Sequence, residues 1–322
     1  MKSVVLILPY FGKLPDIFPL FLKTAEKNPN IQFLIITDSK ELVNYSKNIT
    51  IVYQTFSEFK KLIESRLEQK ISLESPYKLC DYKPIYGYVL YEQIKQYEYW
   101  GYCDCDLIWG NLYPFIEPLI EKDYDKVFVS GHLTLYRNTQ ENNELFRNAD
   151  EGILFQKISK DSQIYWFDED YKGKNNIHDL FLKSGKKVFS EDFSLNFNID
   201  TNSFQRKMYS PKERKYIDIP YKKEQYYWEN GRIYQVKKEN GSIIVIEYPY
   251  MHFQLRYMHG SADMLLEERF KIVPNRFLKC DKIPKTLEEW RYERKTYFGG
   301  QRYIQLKRRI INKMRRVLNK CP

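Results

Sequence analysis

The sequence has no long hydrophobic run, and no stretch of 18 residues is continuously apolar. A helix that crosses a bilayer needs about 20 such residues, so we expect no transmembrane span. The first twelve residues, "MKSVVLILPYFG", hold an apolar run of about six residues without a small-residue cleavage site. They predict a buried strand and not a signal peptide, and a cytoplasmic location is expected.

Cysteine is scarce, and the chain also lacks a phosphate-binding loop of the G-x-x-x-x-G-K-[ST] type. An odd number of cysteines without regular spacing does not predict a disulfide framework. Two of them alternate with aspartates, but no second Cys/His cluster completes a zinc site. The five are Cys80, Cys103, Cys105, Cys280 and Cys321.

Aromatic residues are abundant at 16%, with 28 tyrosines and 20 phenylalanines. Tyrosine offers a stacking surface with a polar tip, so the composition allows sugar or base binding. An AT-rich genome would raise the tyrosine content equally well, so the composition leaves both interpretations open.

The net charge of +10 is concentrated at the C-terminus, and the rest of the chain is nearly balanced. Between residues 302 and 320 the apolar residues recur at steps of three and four, which predicts an amphipathic helix with a basic face. Such a helix suits an anionic membrane surface. Docking on its own domain and nucleic-acid binding are the alternatives. The residues predicted to contact the membrane are Arg302, Lys307, Arg308, Arg309, Lys313, Arg315 and Arg316.

Alternating strand and helix patterns predict an α/β fold with a parallel sheet. Apolar runs at 4–10 and 31–38 read as buried strands, and 20–28 and 57–70 read as helices. A helix is predicted to begin near Pro84, and 99–103 and 126–133 are further strand candidates. Polar residues at the carboxyl ends of such strands are placed to bind ligands.

The region 221–250 has a different sequence pattern from the chain before it. Asn-Gly pairs at 230–231 and 240–241 separate runs in which apolar and polar residues alternate. Asn-Gly between such runs predicts hairpins, hence an antiparallel meander. We expect it to be a ribbon added to the main sheet within a domain over 1–260, and a separate β module is the alternative. A helical extension over 261–322 with a basic tail at 302–320 is expected to follow.

Asp104 and Asp106 lie one residue apart directly after a predicted buried strand, in "GYCDCDLIWG". In extended chain, residues i and i+2 point the same way, so both carboxylates can face one point. Two such charges repel unless a cation joins them, and Mg²⁺ or Mn²⁺ would also bind phosphate oxygens. A polar turn that caps the next segment is the alternative explanation.

Several segments together resemble GT-A-type nucleotide-sugar glycosyltransferases, in particular bacterial enzymes of capsular or other cell-surface polysaccharide synthesis. The resemblance covers roughly residues 1–260. It rests on "LPYFGKLPDIFPLFL" (8–22), "FLIITDS" (33–39), "YKLCDYKP" (77–84), "GYCDCDLIWGNL" (101–112), "SGHLTLYRN" (130–138) and "YPYMHFQ" (248–254).

The resemblance implies a GT-A-like, Rossmann-like mixed sheet flanked by helices, and a site for each substrate. Asp104 and Asp106 match the Asp-x-Asp motif that holds Mn²⁺ or Mg²⁺, and His252 would complete the metal shell. A carboxylate near the acceptor would serve as base, for which Asp168 and Glu169 are the best matches and Asp192 is a rival. The implied donor-binding residues are Pro9, Tyr10, Phe11, Asp38, Lys83, Asp104, Gly131 and His132. For His132, a buried, hydrogen-bonded histidine is an equally good interpretation.

The implied activity is transfer of a sugar from a nucleotide-diphosphate donor, with UDP expected, to a saccharide or lipid-linked acceptor. The protein would then act at the inner face of the cell membrane, and no nucleic-acid partner is expected. A metal-dependent nucleotidyl- or phosphotransferase is one alternative. A nucleic-acid-binding protein that uses the basic tail and a lectin-like sugar binder are the others.

Overall fold

The computed structural model describes residues 1–42, 46–147, 149–171, 173–220 and 223–292, with the single positions 303, 306, 307 and 310. The described strands are β1 (Val4–Tyr10), β2 (Ile31–Thr37), β3 (Ile49–Tyr53), β4 (Tyr99–Cys103), β5 (Leu107–Trp109), β6 (Lys126–Ser130), β7 (Leu133–Arg137), β8 (Val188–Phe189), β9 (Leu195–Phe197), β10 (Arg206–Ser210), β11 (Lys215–Asp218), β12 (Gln225–Glu229), β13 (Arg232–Glu239), β14 (Ser242–Tyr248), β15 (Tyr250–His252), β16 (Arg269–Val273) and β17 (Arg276–Lys279).

The described α-helices are α1 (Phe18–Glu26), α2 (Phe56–Leu67), α3 (Tyr86–Val89), α4 (Tyr91–Ile94), α5 (Tyr113–Ile120), α6 (Gln140–Glu144), α7 (Ala149–Lys160), α8 (Ile177–Lys183) and α9 (Leu287–Tyr292). Three 3₁₀ segments cover Pro76–Ile85, Leu145–Arg147 and Ala262–Met264. Among the described helices, none is both long and apolar enough to cross a membrane.

The main sheet has seven strands in the order β3–β2–β1–β4–β7–β6–β8, and its first four strands are parallel. Side chains of β1 are buried on both faces, which explains its continuous apolar sequence. Leu6 and Leu8 pack with α1 and α5, whereas Val5 and Ile7 pack with α2 and α3. The expected α/β class, a mixed sheet flanked by helices, is confirmed.

The strand order creates a topological switch point between β1 and β4. The chain proceeds from β1 to β2 and β3 on one side, then returns to add β4 on the other side of β1. Connections that leave in opposite directions open a crevice outside the carboxyl ends of the two strands. Tyr10 and Cys103 end these strands, and Asp104 follows directly.

Two further five-stranded sheets complete the described structure, in the orders β11–β10–β9–β15–β5 and β14–β13–β12–β16–β17. A shared apolar core lies between them and α1, and includes Leu20, Ile108, Met251 and Trp228. The Trp228 indole N–H donates to the carbonyl of Trp109 at 2.9 Å, which ties the two sheets together.

Both predicted Asn-Gly hairpins are present, joining β12 to β13 and β13 to β14. Asn230 and Gly231 have φ of 48° and 83°, and Asn240 and Gly241 have 48° and 80°, as tight hairpin turns require. The expectation that this meander extends the main sheet is wrong, because β12 pairs with β16 in a separate sheet. The expectation of helix beyond residue 260 is likewise wrong for 269–279, which form β16 and β17.

The segment around Pro84 is not the single helix that its apolar spacing suggests. A 3₁₀ segment runs from Pro76 to Ile85, and the short helices α3 and α4 follow. Leu90, with φ −105° and ψ 21°, separates α3 from α4. The 3₁₀ segment brings Lys83 to the crevice.

Candidate functional site

A cleft of about 590 Å³ opens at the carboxyl ends of β1 and β4. Every predicted donor, metal and catalytic residue except Asp38 lines this cleft. The site is therefore formed where the switch-point rule places ligands in open α/β sheets.

The Asp-x-Asp segment points both carboxylates into the cleft. Cys103 and Cys105 alternate with the aspartates and are buried in the core with 1% and 6% exposure. The Asp104 backbone N–H donates to the carbonyl of His132 at 3.1 Å, which fixes the chain just after β4. The chain is not extended here as the sequence pattern predicts, since it bends at Cys105 and Asp106, but both carboxylates nevertheless line the cleft.

His252 reaches the same point from β15. β15 pairs antiparallel with β5, and this pairing places His252 opposite Leu107, next to Asp106. The His252 Nε2 atom lies 3.4 Å from Asp106 Oδ1 and 3.7 Å from Asp104 Oδ2. One ligand atom from each of the three side chains lies within 4.8 Å of the other two.

The hydrogen bonding of His252 favours metal ligation. Its Nδ1 atom lies 3.1 Å from Asn196 Oδ1. An amide oxygen only accepts, so Nδ1 carries the proton and the neutral ring turns its Nε2 lone pair toward the carboxylates. A second hydrogen bond that sets the tautomer is typical of ligating histidines. Two carboxylates and an imidazole suit Mn²⁺, so the residues fit a divalent metal.

The electrostatic environment keeps Asp106 ionised. Burial opposes ionisation, but His252 and the backbone N–H of Leu255 outweigh it and lower the pKa of Asp106. The Leu255 N–H donates directly to Asp106 Oδ2. Burial opposes protonation of His252, yet Asp106 and Asp104 raise its pKa. In the absence of a metal, the carboxylates therefore attract a proton to the position that a cation would occupy.

Lys83 joins the Asp-x-Asp segment to the predicted catalytic carboxylates. Its ammonium lies 2.7 Å from Asp104 Oδ1, 2.7 Å from the Gly131 carbonyl and 3.1 Å from Asp168 Oδ2. Burial favours the neutral amine, but the two carboxylates outweigh it and raise the pKa of Lys83 well above its usual value. Lys83 lines the cleft as predicted, with its charge paired to two acids.

Asp168 is a buried carboxyl with an unusual pKa. Burial, together with Glu169 and Asp104, raises the pKa of Asp168 to about 7 against the opposing effect of Lys83. Burial also raises the pKa of Glu169. Gly131 is needed here, because a Cβ at that position would lie 2.6 Å from Asp168 Oδ2.

The carboxylate of Asp192, the alternative base, accepts hydrogen bonds from the backbone through both of its oxygens. Its Oδ1 accepts the backbone N–H of Ser194 at 2.8 Å and its Oδ2 accepts that of Tyr209 at 2.9 Å. Both oxygens thus hold backbone in place, which leaves Asp168 and Glu169 as the stronger candidates.

His132 and Asp38 support the walls of the cleft. The His132 ring stacks on His252 with centroids 4.3 Å apart, and its Nε2 lies 3.1 Å from the Tyr250 hydroxyl. Burial lowers the pKa of His132 well below its usual value, so this ring is neutral. Asp38 Oδ1 accepts the Gly12 N–H at 2.8 Å and so fixes the loop after β1.

The structure adds cleft residues that the sequence patterns did not single out. Asn196 orients His252, and Lys207 and Tyr216 line the wall beyond it. Trp166 and Tyr171 flank the predicted base within the segment "YWFDEDY" (165–171), and both are exposed on the cleft. The only sequence signal that could have indicated Trp166 and Tyr171 as cleft residues is their position on either side of the predicted base.

Most of the predicted membrane-contacting tail lies outside the described residues, namely Arg302, Arg308, Arg309, Lys313, Arg315 and Arg316. Lys307 is described, and it is helical and exposed. Three of the apolar residues that recur at steps of three and four in this tail are also helical and exposed, namely Tyr303, Leu306 and Ile310.

Comparison with family models shows that the chain belongs to a family of unknown function, DUF6625, whose model matches residues 6–281. A search of curated proteins gives no match.

Among solved structures, the chain is similar to mouse xyloside xylosyltransferase 1 in its apo form, with 9% identity and a TM-score of 0.38. That match covers 61% of this chain and 88% of the other. It is also similar to the galactosyltransferase LgtC, in a complex with donor and acceptor sugar analogues, with 13% identity and a TM-score of 0.34. Here 61% of this chain and 75% of the other are covered.

A third similar structure is the apo form of the glycosyltransferase GlyE from Streptococcus pneumoniae TIGR4, with 10% identity and a TM-score of 0.36. The match covers 62% of this chain and 47% of GlyE, so this chain spans about half of GlyE. TM-scores below 0.5 do not establish a shared fold, and function has to be inferred from the residues of the cleft.

Proposed function

We propose that this protein is a metal-dependent glycosyltransferase that moves a sugar from a nucleotide-diphosphate donor, with UDP expected, to a saccharide acceptor. The observation that carries the proposal is the group of Asp104, Asp106 and His252 at the switch point between β1 and β4. Such a group can bind the oxygens of a diphosphate through a divalent metal, and the crevice beside it has room for a nucleotide.

Asp104, Asp106 and His252 would hold Mn²⁺ or Mg²⁺. When bound, the metal would neutralise the charge that develops on the departing nucleoside diphosphate. Asp106 is the best placed of the three, because its pKa is lowered and its second oxygen is held by the Leu255 N–H.

The wall formed by Pro9, Tyr10 and Phe11 is proposed to flank the nucleotide. Phe11 packs against Phe56 and Phe59, with ring centroids 5.6 Å away in both cases, so this wall is rigid. Tyr10 is partly buried, and its hydroxyl donates to the carbonyl of Lys13 at 3.1 Å. A preformed aromatic wall lowers the entropic cost of ordering a base or ribose.

Asp168 is the proposed base, with Glu169 as the alternative. A group whose pKa lies near the working pH is an efficient proton acceptor, and the pKa of Asp168 is raised to about 7. It would take the proton of the acceptor hydroxyl as that oxygen bonds to the anomeric carbon and the bond to the diphosphate breaks. Activity should then rise with pH through about 7, as Asp168 loses its proton.

We also propose that the acceptor is lipid-linked, in cell-surface polysaccharide synthesis, and that the basic tail binds the inner face of the membrane. The support is the charge pattern of residues 302–320. Vesicle sedimentation tests this part: the full chain should pellet with anionic vesicles, and a chain that lacks 302–322 should not. Equal pelleting of both forms would refute it.

Thermal unfolding with Mn²⁺ and UDP tests the activity. At a concentration 100 times the dissociation constant, binding should raise the midpoint of a 322-residue chain by about 4 °C. Asp106→Asn should remove this shift, whereas Asp218→Asn, an exposed control on β11, should retain it. A shift with ATP or DNA in place of UDP would favour a phosphotransferase or a nucleic-acid-binding protein.

The second step is a screen of nucleotide sugars for Mn²⁺-dependent hydrolysis by the full chain. A transferase without its acceptor is expected to hydrolyse its own donor slowly, and Asp106→Asn should abolish the release of nucleoside diphosphate. Release that persists in this variant would separate the activity from the metal group.

A further inference from the structure

The cleft continues past the metal group into a region without an assigned ligand. If the nucleotide occupies the side of Tyr10 and Phe11, this second half remains for the other substrate. It is lined by Trp166, Tyr171, Lys207 and Tyr216. We propose that it is an acceptor subsite in which the two aromatic rings of Trp166 and Tyr171 support a sugar and Lys207 pairs with an anionic group of that acceptor. The inference rests on the proposed function.

The strand register places Lys207 beyond the metal group. His252 on β15 lies opposite Asn196 on β9, and Asn196 lies opposite Lys207 on β10. Two strand spacings separate the Cα atoms of His252 and Lys207 by about 10 Å. Because Nε2 of His252 faces the carboxylates and Nδ1 faces Asn196, Lys207 lies on the side away from the donor diphosphate.

Among the described residues of this wall, Lys207 is a lysine whose charge is not paired with a carboxylate. Lys83, the other lysine that lines the cleft, is paired with Asp104 and Asp168. Lys207 is half-buried and, within the part of the chain that the structure describes, has no ion-pair partner. A ligand with a carboxylate or phosphate would meet the charges of Asp168 and Glu169 in this region, and Lys207 would offset that repulsion.

The two aromatic side chains form a surface suited to a sugar ring. The centroids of Trp166 and Tyr171 are 6.0 Å apart with 34° between the planes, and the side chains are 43% and 52% exposed. The apolar face of a pyranose packs on such rings, while its hydroxyls reach polar neighbours. The rings flank Asp168 and Glu169 in sequence, so a bound acceptor would lie close to the proposed base.

Hydrogen bonds to the Asp81 carboxylate fix the backbone on both sides of Trp166. Asp81 accepts the N–H of Tyr165 at 2.9 Å and that of Phe167 at 3.0 Å. Between these two amides, Trp166 adopts φ of 53°, a left-handed conformation that a tryptophan rarely takes. Asp81 is itself paired with the buried Lys78 at 2.8 Å. The backbone at Trp166, one half of the aromatic surface, is therefore preorganised.

The test uses the full chain with MnCl₂ and UDP on an array of neutral, uronic-acid-containing and phosphate-bearing glycans. The retained glycans should be anionic, and the comparison of carboxylate with phosphate identifies the source of the charge. Solution titrations would follow the change in tryptophan fluorescence on binding, to which the exposed Trp166 should contribute most, and Trp166→Ala would be measured on the array. Lys207→Met should weaken binding of the retained glycans about tenfold, and Trp166→Ala should abolish it.

Matched controls are Lys238→Met, an exposed lysine on β13, and Tyr91→Ala, an exposed aromatic on α4. Both should bind like the unmodified chain. Retention of neutral glycans only, or of none, would overturn the subsite. So would weaker Mn²⁺-dependent UDP binding by Lys207→Met, because the lysine would then serve the donor. Failure of Mn²⁺ and UDP to stabilise the unmodified chain would instead refute the proposed function.

Discussion

Removal of the Lys83 ammonium should destabilise the fold by an amount that grows with pH. Lys83 contacts Asp104, Asp168 and the Gly131 carbonyl, all within 3.1 Å. Loss of one partner from a buried ion pair costs about 3–5 kcal/mol. Since the Lys83 side chain keeps 14% exposure, we expect Lys83→Met to lower the free energy of unfolding by about 3 kcal/mol at pH 8.

The pH dependence follows from Asp168. Folding raises its pKa to about 7, above the value near 4 of an unfolded chain. The stability that such a carboxyl contributes is present below the unfolded pKa and is lost as pH rises through about 7. Lys83 limits this loss, so its removal matters most above pH 7. At pH 5 Asp168 is protonated, and the loss should be limited to the contact with Asp104 and the hydrogen bond to Gly131, about 2 kcal/mol together.

Urea unfolding at pH 5 and pH 8, with a chelator present, measures both values. The double variant Lys83→Met/Asp168→Asn should be about 2 kcal/mol more stable at pH 8 than the sum of the two single losses predicts, because no uncompensated carboxylate remains at position 168. Lys238→Met serves as the exposed-lysine control and should change little at either pH. A loss that is independent of pH, or strictly additive in the double variant, would refute the coupling between these two groups.

Three further substitutions test the local structure by urea unfolding. Gly131→Ala should cost about 1–3 kcal/mol, because its Cβ would lie 2.6 Å from Asp168 Oδ2; an unchanged midpoint would contradict that contact. Asp81→Ala should cost about 3–5 kcal/mol by leaving the buried Lys78 unpaired, and adding Lys78→Met should recover part of the loss. Thr55→Ala should cost about 1 kcal/mol by removing the N-cap of α2, whereas Thr55→Ser should not.

The strands that determine the site were predictable because their sequence signals are local. The runs at 4–10 and 99–103 match β1 and β4 residue for residue. Strands buried on both faces are continuously apolar, so their ends are visible where polar residues begin. The position of Asp104 at the carboxyl end of β4 followed directly from that boundary.

The pairing of distant strands was not predictable from local patterns. The Leu255 N–H that holds Asp106 lies 149 residues away along the chain. The partner strands β5 and β15 have three residues each, too few for a period-two pattern to be recognised. His252 therefore entered the predicted metal group by family resemblance alone, and Asn196, which orients it, carried no sequence signal.

The single-helix prediction near Pro84 failed for a different reason. Tyr86, Leu90 and Ile94 are buried, as the helical spacing predicts. The backbone is nevertheless interrupted at Leu90, whose φ of −105° and ψ of 21° separate α3 from α4, and the turns before Tyr86 are 3₁₀. Two short helices bury the same apolar face as one long helix, so the apolar spacing alone does not specify a continuous backbone.

The one-residue spacing of the two aspartates has a structural consequence. Asp104 directly follows β4 of the main sheet, whereas Asp106 immediately precedes β5 of the second sheet, which also carries His252. Only three residues, Asp104, Cys105 and Asp106, lie between β4 and β5, so the chain passes from one sheet to the other within the motif. A cation bound by Asp104, Asp106 and His252 would therefore join the two sheets, and the precision of the metal group depends on how firmly the sheets pack. That packing is supplied by the aromatic core beneath the cleft, in which Trp109 contacts Phe33 of the main sheet and Tyr250 of the second. The same contacts that stabilise the fold thus fix the distance between the carboxylates and the imidazole.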